Sequence, residues 1–213
     1  MEHKLCKMLP EEIEKKSFEI ITKELGERVF PPILEPIIKR VIHTTADFEY
    51  ADSLYFSENV AELAIETLKQ GASIITDTNM ARSGINKKAL ESLSCKVECF
   101  MADPNIALAA KENKTTRAAA AVDHAANLEG NLIFAVGNAP TALIRLYELI
   151  LEGKLAPKLI IGVPVGFVNV VESKELIMET KIPCIIARGR KGGSNVAAAI
   201  CNALLYEAAG RVI

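Results

Sequence analysis

Along the first third of the chain, apolar positions recur at helical spacing. Beyond it they gather into short unbroken runs. From Pro10 to about Gly26 the rhythm predicts a helix, with Ile13, Ile20 and Ile21 on one stripe and Ser17 on that stripe too. Pro31, Pro32 and Pro36 punctuate the next stretch, and Pro36 is placed to open a helix that reaches about Thr45. A third helix is expected from an N-cap at Ser57 to Gly71. The apolar runs are 72–76, 96–101, 131–136, 158–163 and 183–187, and helical patterns occupy 86–94, 104–112, 115–128, 139–152, 172–180 and 193–209. Strand and helix in alternation predict an α/β fold, a mostly parallel sheet with helices on both faces. No linker or repeat interrupts it. The expectation is one domain over 1–213, with a mainly helical N-terminal segment (1–71) beside an alternating core (72–213).

Composition narrows the function classes. Half of the 213 residues are apolar, aromatics are 5% and Trp is absent, a mix suited to buried parallel strands under Ala-rich helices. A net charge of -2 gives no global basic field, so no nucleic-acid or membrane-surface role is supported. An anionic ligand would need a local cluster. The five cysteines form no C-x-x-C pair and no disulfide framework. Cys95 and Cys99, four apart in an expected strand, are read as reduced thiols facing one side. No signal-peptide core or membrane-length apolar run is evident, and a cytoplasmic location is expected.

Ligands of open parallel sheets sit beyond the carboxyl ends of the strands. There the chain carries Thr76-Asp77-Thr78-Asn79-Met80-Ala81-Arg82, then Gly137-Asn138-Ala139-Pro140-Thr141, then Gly162-Val163-Pro164-Val165-Gly166-Phe167, then Arg188-Gly189-Arg190-Lys191-Gly192-Gly193-Ser194. Glycine permits close backbone approach, and helix N-termini attract anions. The last turn lacks Walker A spacing. It fits phosphate or carboxylate equally, and a solvated basic turn as well. Of the histidines, His3 lies in the tail, and His124 reads as a surface or packed helix residue. His43 falls near a helix end, three residues after Arg40 and on its face. The three histidines lack metal-ligand spacing, and no metal site is expected.

Five segments together resemble one family. The stretch Arg40-Val41-Ile42-His43-Thr44-Thr45-Ala46-Asp47-Phe48-Glu49 is similar to the histidine segment of precorrin-8X methylmutases, and the four carboxyl-end loops continue the likeness in order, from about Pro10 to Leu205. The resemblance implies an isomerase of cobalamin biosynthesis that needs no cofactor. Its reaction would be a 1,5-sigmatropic shift of a methyl group from C-11 to C-12 of a tetrapyrrole, precorrin-8X or its cobalt form. It maps the proton donor and acceptor onto His43 and substrate contacts onto Ser17 and Arg40, and it implies a homodimer.

The residue chemistry is compatible with such a ligand. Its carboxylates call for Arg40, Arg82, Arg117, Arg188, Arg190 and Lys191, and its ring for walls such as Pro164, Val165 and Phe167. Thr78, Asn79, Asn138, Thr141, Gly166 and Ser194 complete the candidate substrate contacts. Arg117 has a surface ion pair as its alternative. Two rival readings are a phosphate or nucleotide enzyme using the 188–194 turn, and a tetrapyrrole carrier that binds without converting.

Overall fold

The computed structural model describes residues 9–211; His3 and Cys6 lie outside them. One six-stranded sheet has the order β1-β6-β5-β4-β2-β3. Its strands are β1 (Leu54–Phe56), β2 (Ser73–Thr76), β3 (Lys96–Glu98), β4 (Leu132–Val136), β5 (Leu159–Gly162) and β6 (Cys184–Ala187). β2 through β6 run parallel, as the unbroken apolar runs predict. No apolar run announces β1. It pairs antiparallel with β6, Leu54 opposite Ala187, and so brings the preceding segment to the carboxyl edge of the sheet.

Period-two alternation divides the core into two layers. Ile74, Ile133, Ala135, Ile161, Ile185 and Ala187 face one cluster, whereas Ile75, Phe134, Val136, Ile160 and Ile186 face the other. Over the first lie α1 (Pro10–Leu25), α2 (Glu35–Thr45), α3 (Tyr50–Ser53), α4 (Val60–Lys69), α5 (Asn79–Gly84), α6 (Lys87–Ser92) and α11 (Ser194–Ala208). Over the second lie α7 (Pro104–Glu112), α8 (Arg117–Ala125), α9 (Pro140–Leu151) and α10 (Val170–Glu179). α11 is apolar nearly all round because α2, α4 and α5 cover the side that the sheet leaves open. None of the described helices is long and apolar enough to cross a membrane.

Several local expectations are corrected. Ser57 caps no helix. Its Oγ accepts from Cys184 N at 2.9 Å and its own N–H donates to Cys184 O at 3.0 Å, prolonging the β1–β6 ladder, and α4 starts at Val60. The stretch after β2, expected to be a loop, holds α5. The strand expected over 96–101 is only three residues long, so Cys95 and Cys99 flank it instead of sharing its face. Cys95 is buried and Cys99 half-buried, both free. The α1 stripe splits because adjacent helical residues point about 100° apart. Ile21 is 7% exposed, but Ile13 and Ile20 are 51% and 47% exposed.

Candidate active site

The strand order reverses between β2 and β4, where an α/β sheet opens a crevice. This crevice is filled from within. Asp77, buried after β2, accepts from Gly137 N (2.9 Å), Asn138 N (2.8 Å) and Ala139 N (2.6 Å) ahead of α9. Burial pushes its carboxyl above the usual carboxylate range, while the three N–H donors pull the other way. These donors, expected to meet a ligand anion, hold the protein's own carboxylate. Nor does Gly137 serve a ligand here: a Cβ on it would lie 2.7 Å from Ser194 Cα, so glycine is needed for one loop to pass the other.

The hydroxyls of Thr78 and Ser194 are likewise engaged, bonded to each other at 2.7 Å while Thr78 Oγ1 accepts from Ala81 N. Asn79 and Asn138 are exposed beside them. Thr141 Oγ1 accepts from Thr116 Oγ1 at 2.9 Å, which sets the exposed Arg117 at the start of α8 beside the start of α9. Arg82 goes elsewhere. The second half of α5 carries it into a cleft with Lys87, Glu91 and Lys96, where β3 begins. Pro164 is buried and leaves the expected wall.

The loops after β5 and β6 make a surface that is both apolar and cationic. Phe167, Val168 and Val165 are 82%, 77% and 49% exposed, and Met80 across the edge is 72% exposed. The Arg190 guanidinium lies 5.6 Å from the centre of the Phe167 ring, and that of Arg188 lies 4.9 Å from the Tyr55 ring. Gly166 N donates to Arg190 O at 3.1 Å, and Gly193 N to Val163 O at 2.8 Å. Lys191 is less free than expected. Its Nζ meets Asp47 Oδ2 and Glu49 Oε2, each at 2.6 Å, which raises its pKa and holds the Asp47 carboxyl low.

That latch joins the turn to the His43 segment. α2 ends at Thr45, the left-handed φ of 53° at its C-cap Ala46 turns the chain toward Asp47, and Arg188 N donates to Ser53 O at 2.8 Å. His43 is exposed, its ring stacked on Phe18 at 5.3 Å between centroids and 28° between planes. Arg40 touches the same ring from inside the helix pair: it is 8% exposed, with its guanidinium 4.8 Å from Phe18 and 5.2 Å from Tyr206. Its Nη1 donates to Glu14 Oε1 at 2.6 Å, which lowers the Glu14 pKa, while its Nε and Nη2 find no partner. Ser17, half-buried on α1, donates to Ile13 O at 2.8 Å. The exposed His43 is thus followed, within the same segment, by the residues that tie α2 to the turn bearing Arg188 and Arg190.

Comparison with known proteins agrees with this architecture. The precorrin-8X methylmutase family model matches residues 12–207. The chain belongs to that family. It is 48% identical to the cobalt-precorrin-8 methylmutase of Salmonella typhimurium, over 93% of this chain and 95% of that protein. It is 37% identical to the precorrin-8X methylmutase of Pseudomonas aeruginosa, over 92% and 94%. The crystal structure of precorrin-8x methyl mutase from Thermus thermophilus superposes with a TM-score of 0.85 at 39% identity, covering 94% of this chain and 99% of that one. As a methylmutase, the protein is an isomerase of cobalamin biosynthesis.

In this methylmutase a cavity of about 790 Å³ lies between α1, α2 and the end of α11. Phe18, the ring stacked on His43, lines it, but neither His43 nor any loop after β2, β4, β5 or β6 does. His124 packs edge-on against Phe100 at 4.6 Å. Among the described residues no three His, Cys, Asp or Glu side chains are grouped to hold a metal ion. Sequence reasoning passes over Asp77, although it lies inside the 76–82 segment, and over Glu14, Met80 and Val168. It also misses Lys174, whose signal is available: it shares the buried stripe of α10 with Val170, Ser173 and Ile177.

Proposed function

We propose that this enzyme converts precorrin-8X, or cobalt-precorrin-8, by moving one methyl group from C-11 to C-12, with His43 as proton donor and acceptor. The carrying observation is the exposed His43 ring, backed by Phe18 and latched through Asp47, Glu49 and Lys191 to the turn bearing Arg188 and Arg190. The step is balanced within one molecule: the C-11–methyl bond breaks as the C-12–methyl bond forms. An imidazole can both donate and accept a proton, and so can lend one to the conjugated ring and take it back. Arg117, Arg188 and Arg190 would meet carboxylates, and Met80, Val165, Phe167 and Val168 would lie against the ring. Arg40 would offer Nε and Nη2. The protein acts as one domain, in the cytoplasm, as a homodimer.

A nucleotide reading loses support because Asp77 fills the switch-point crevice and Ser194 is bonded to Thr78. A carrier reading predicts pigment binding that is indifferent to His43. The test is visible spectroscopy of the purified protein with either tetrapyrrole, without nucleotide. Wild type should shift the absorption bands as conjugation changes. His43→Ala should lower turnover by about 10²–10⁴-fold while still binding product. Unchanged turnover would remove His43 from the mechanism, and binding without conversion by wild type would favour the carrier.

A further inference from the structure

Beneath the 188–193 turn lies a charged group that the reaction does not use. Lys174, on α10, is 1% exposed and shares the buried stripe of that helix with Val170, Ser173 and Ile177. A buried ammonium is costly unless its donors are met. Here Nζ donates to Gly189 O at 2.8 Å and to Lys191 O at 2.9 Å. The carbonyl between them, of Arg190, is taken by Gly166 N. Three successive carbonyls of the turn are therefore engaged from inside, while the side chains of Arg188, Arg190 and Lys191 are exposed.

We propose that Lys174 is a positioning residue: it anchors the backbone of the basic turn so that Arg188 and Arg190 face a ligand carboxylate in fixed geometry. The proposal rests on the reading of that turn as part of the substrate site. A carbonyl pair has no charge of its own to demand a lysine, and a backbone N–H could have satisfied each one. What the ammonium adds is a single point that fixes two carbonyls at once with charge-assisted bonds. The charged side chains sharing its cleft are Glu175, from its own helix, and Arg188, from the turn. The Lys191 ammonium points away, to Asp47 and Glu49. Burial lowers the Lys174 pKa to about 8, so the anchor carries its charge at neutrality and loses it under mild alkali.

Two readouts test this, and only one of them needs the ligand. Hydrogen exchange of the 188–193 amides, without ligand, should show lost protection in Lys174→Met confined to that turn. Product titration and turnover should then show affinity weakened about tenfold, with kcat changed much less, because displaced binding groups lose ligand contacts before chemistry. In wild type, product affinity should fall as pH rises through about 8. Lys174→Met should abolish that step, and Lys174→Arg, charged throughout, should also bind without it. Unchanged exchange would overturn the anchor. So would a loosened turn with unchanged affinity, or an alkaline step that persists in both variants. If wild type bound no tetrapyrrole, the functional reading would fail instead, and the exchange result would still judge the anchor.

Discussion

Asp77 and Arg40 are both ionisable and buried, and at the residue scale they are satisfied in different ways. Both Asp77 oxygens are met by backbone N–H groups, so the carboxylate finishes a junction and has nothing to offer a ligand. Arg40 is met by side chains only: Nη1 donates to Glu14, the guanidinium packs between the Phe18 and Tyr206 rings, and Nε and Nη2 have no protein partner. Asp77→Asn turns an acceptor into a donor facing donors. It should cost about 2–3 kcal/mol, read as a lower midpoint in chemical denaturation. An unchanged midpoint would mean that the junction does not depend on the charge. Part of this scale is legible in the sequence: Arg188, Arg190 and Phe167 lie exposed in loops after β5 and β6, and His43 lies exposed near the end of α2. Hydroxyls are the failure. Thr78 and Ser194 lie 116 positions apart, and no local pattern reveals that each satisfies the other.

At the scale of elements, the loops after β5 and β6 pack so closely that glycine is compulsory at Gly192. Its φ is +158°, and a Cβ there would overlap the Val163 carbonyl oxygen, a backbone atom that cannot swing aside. Gly192→Ala should therefore destabilise the protein by about 2–4 kcal/mol and loosen the basic turn, measurable by denaturation and by exchange of the 188–193 amides. A variant as stable as wild type would show that the turn has other conformations within reach. β2, β4, β5 and β6 are legible because each carries consecutive apolar residues buried on both faces, whereas β3 is only Lys96-Val97-Glu98 at the sheet edge. β1 is not legible, since three half-buried residues make no run. Missing β1 also hides why the segment after His43 reaches the carboxyl edge, because the antiparallel pairing of Leu54 with Ala187 is what delivers it there. α5, at six residues, is too short to set up a periodic stripe.

For the molecule as a whole, one chain leaves its candidate site open. Phe167, Val168 and Met80 lie mostly in water, and a large conjugated ring on that surface would be covered from one side only. The outward face of α1 is open too: Ile13 and Ile20, seven residues apart and so on nearly the same face, are 51% and 47% exposed, and Leu9 just before the helix is 69% exposed. α1 carries Phe18, the ring behind His43, so whatever covers that helix bears on the site. A second copy of the chain is the proposed cover. It would exclude water where desolvation strengthens the arginine–carboxylate contacts. Light scattering should then give twice the chain mass for wild type. The double variant Ile13→Glu, Ile20→Glu, which keeps helix-forming residues while placing two charges on that face, should give a single chain mass. Turnover should fall along with assembly, because the half-covered ring would sit in water. A wild-type protein of single chain mass would end the dimer proposal. A dimer untouched by the double variant would move the interface away from α1 and leave the closure of the site to the loops after β5 and β6.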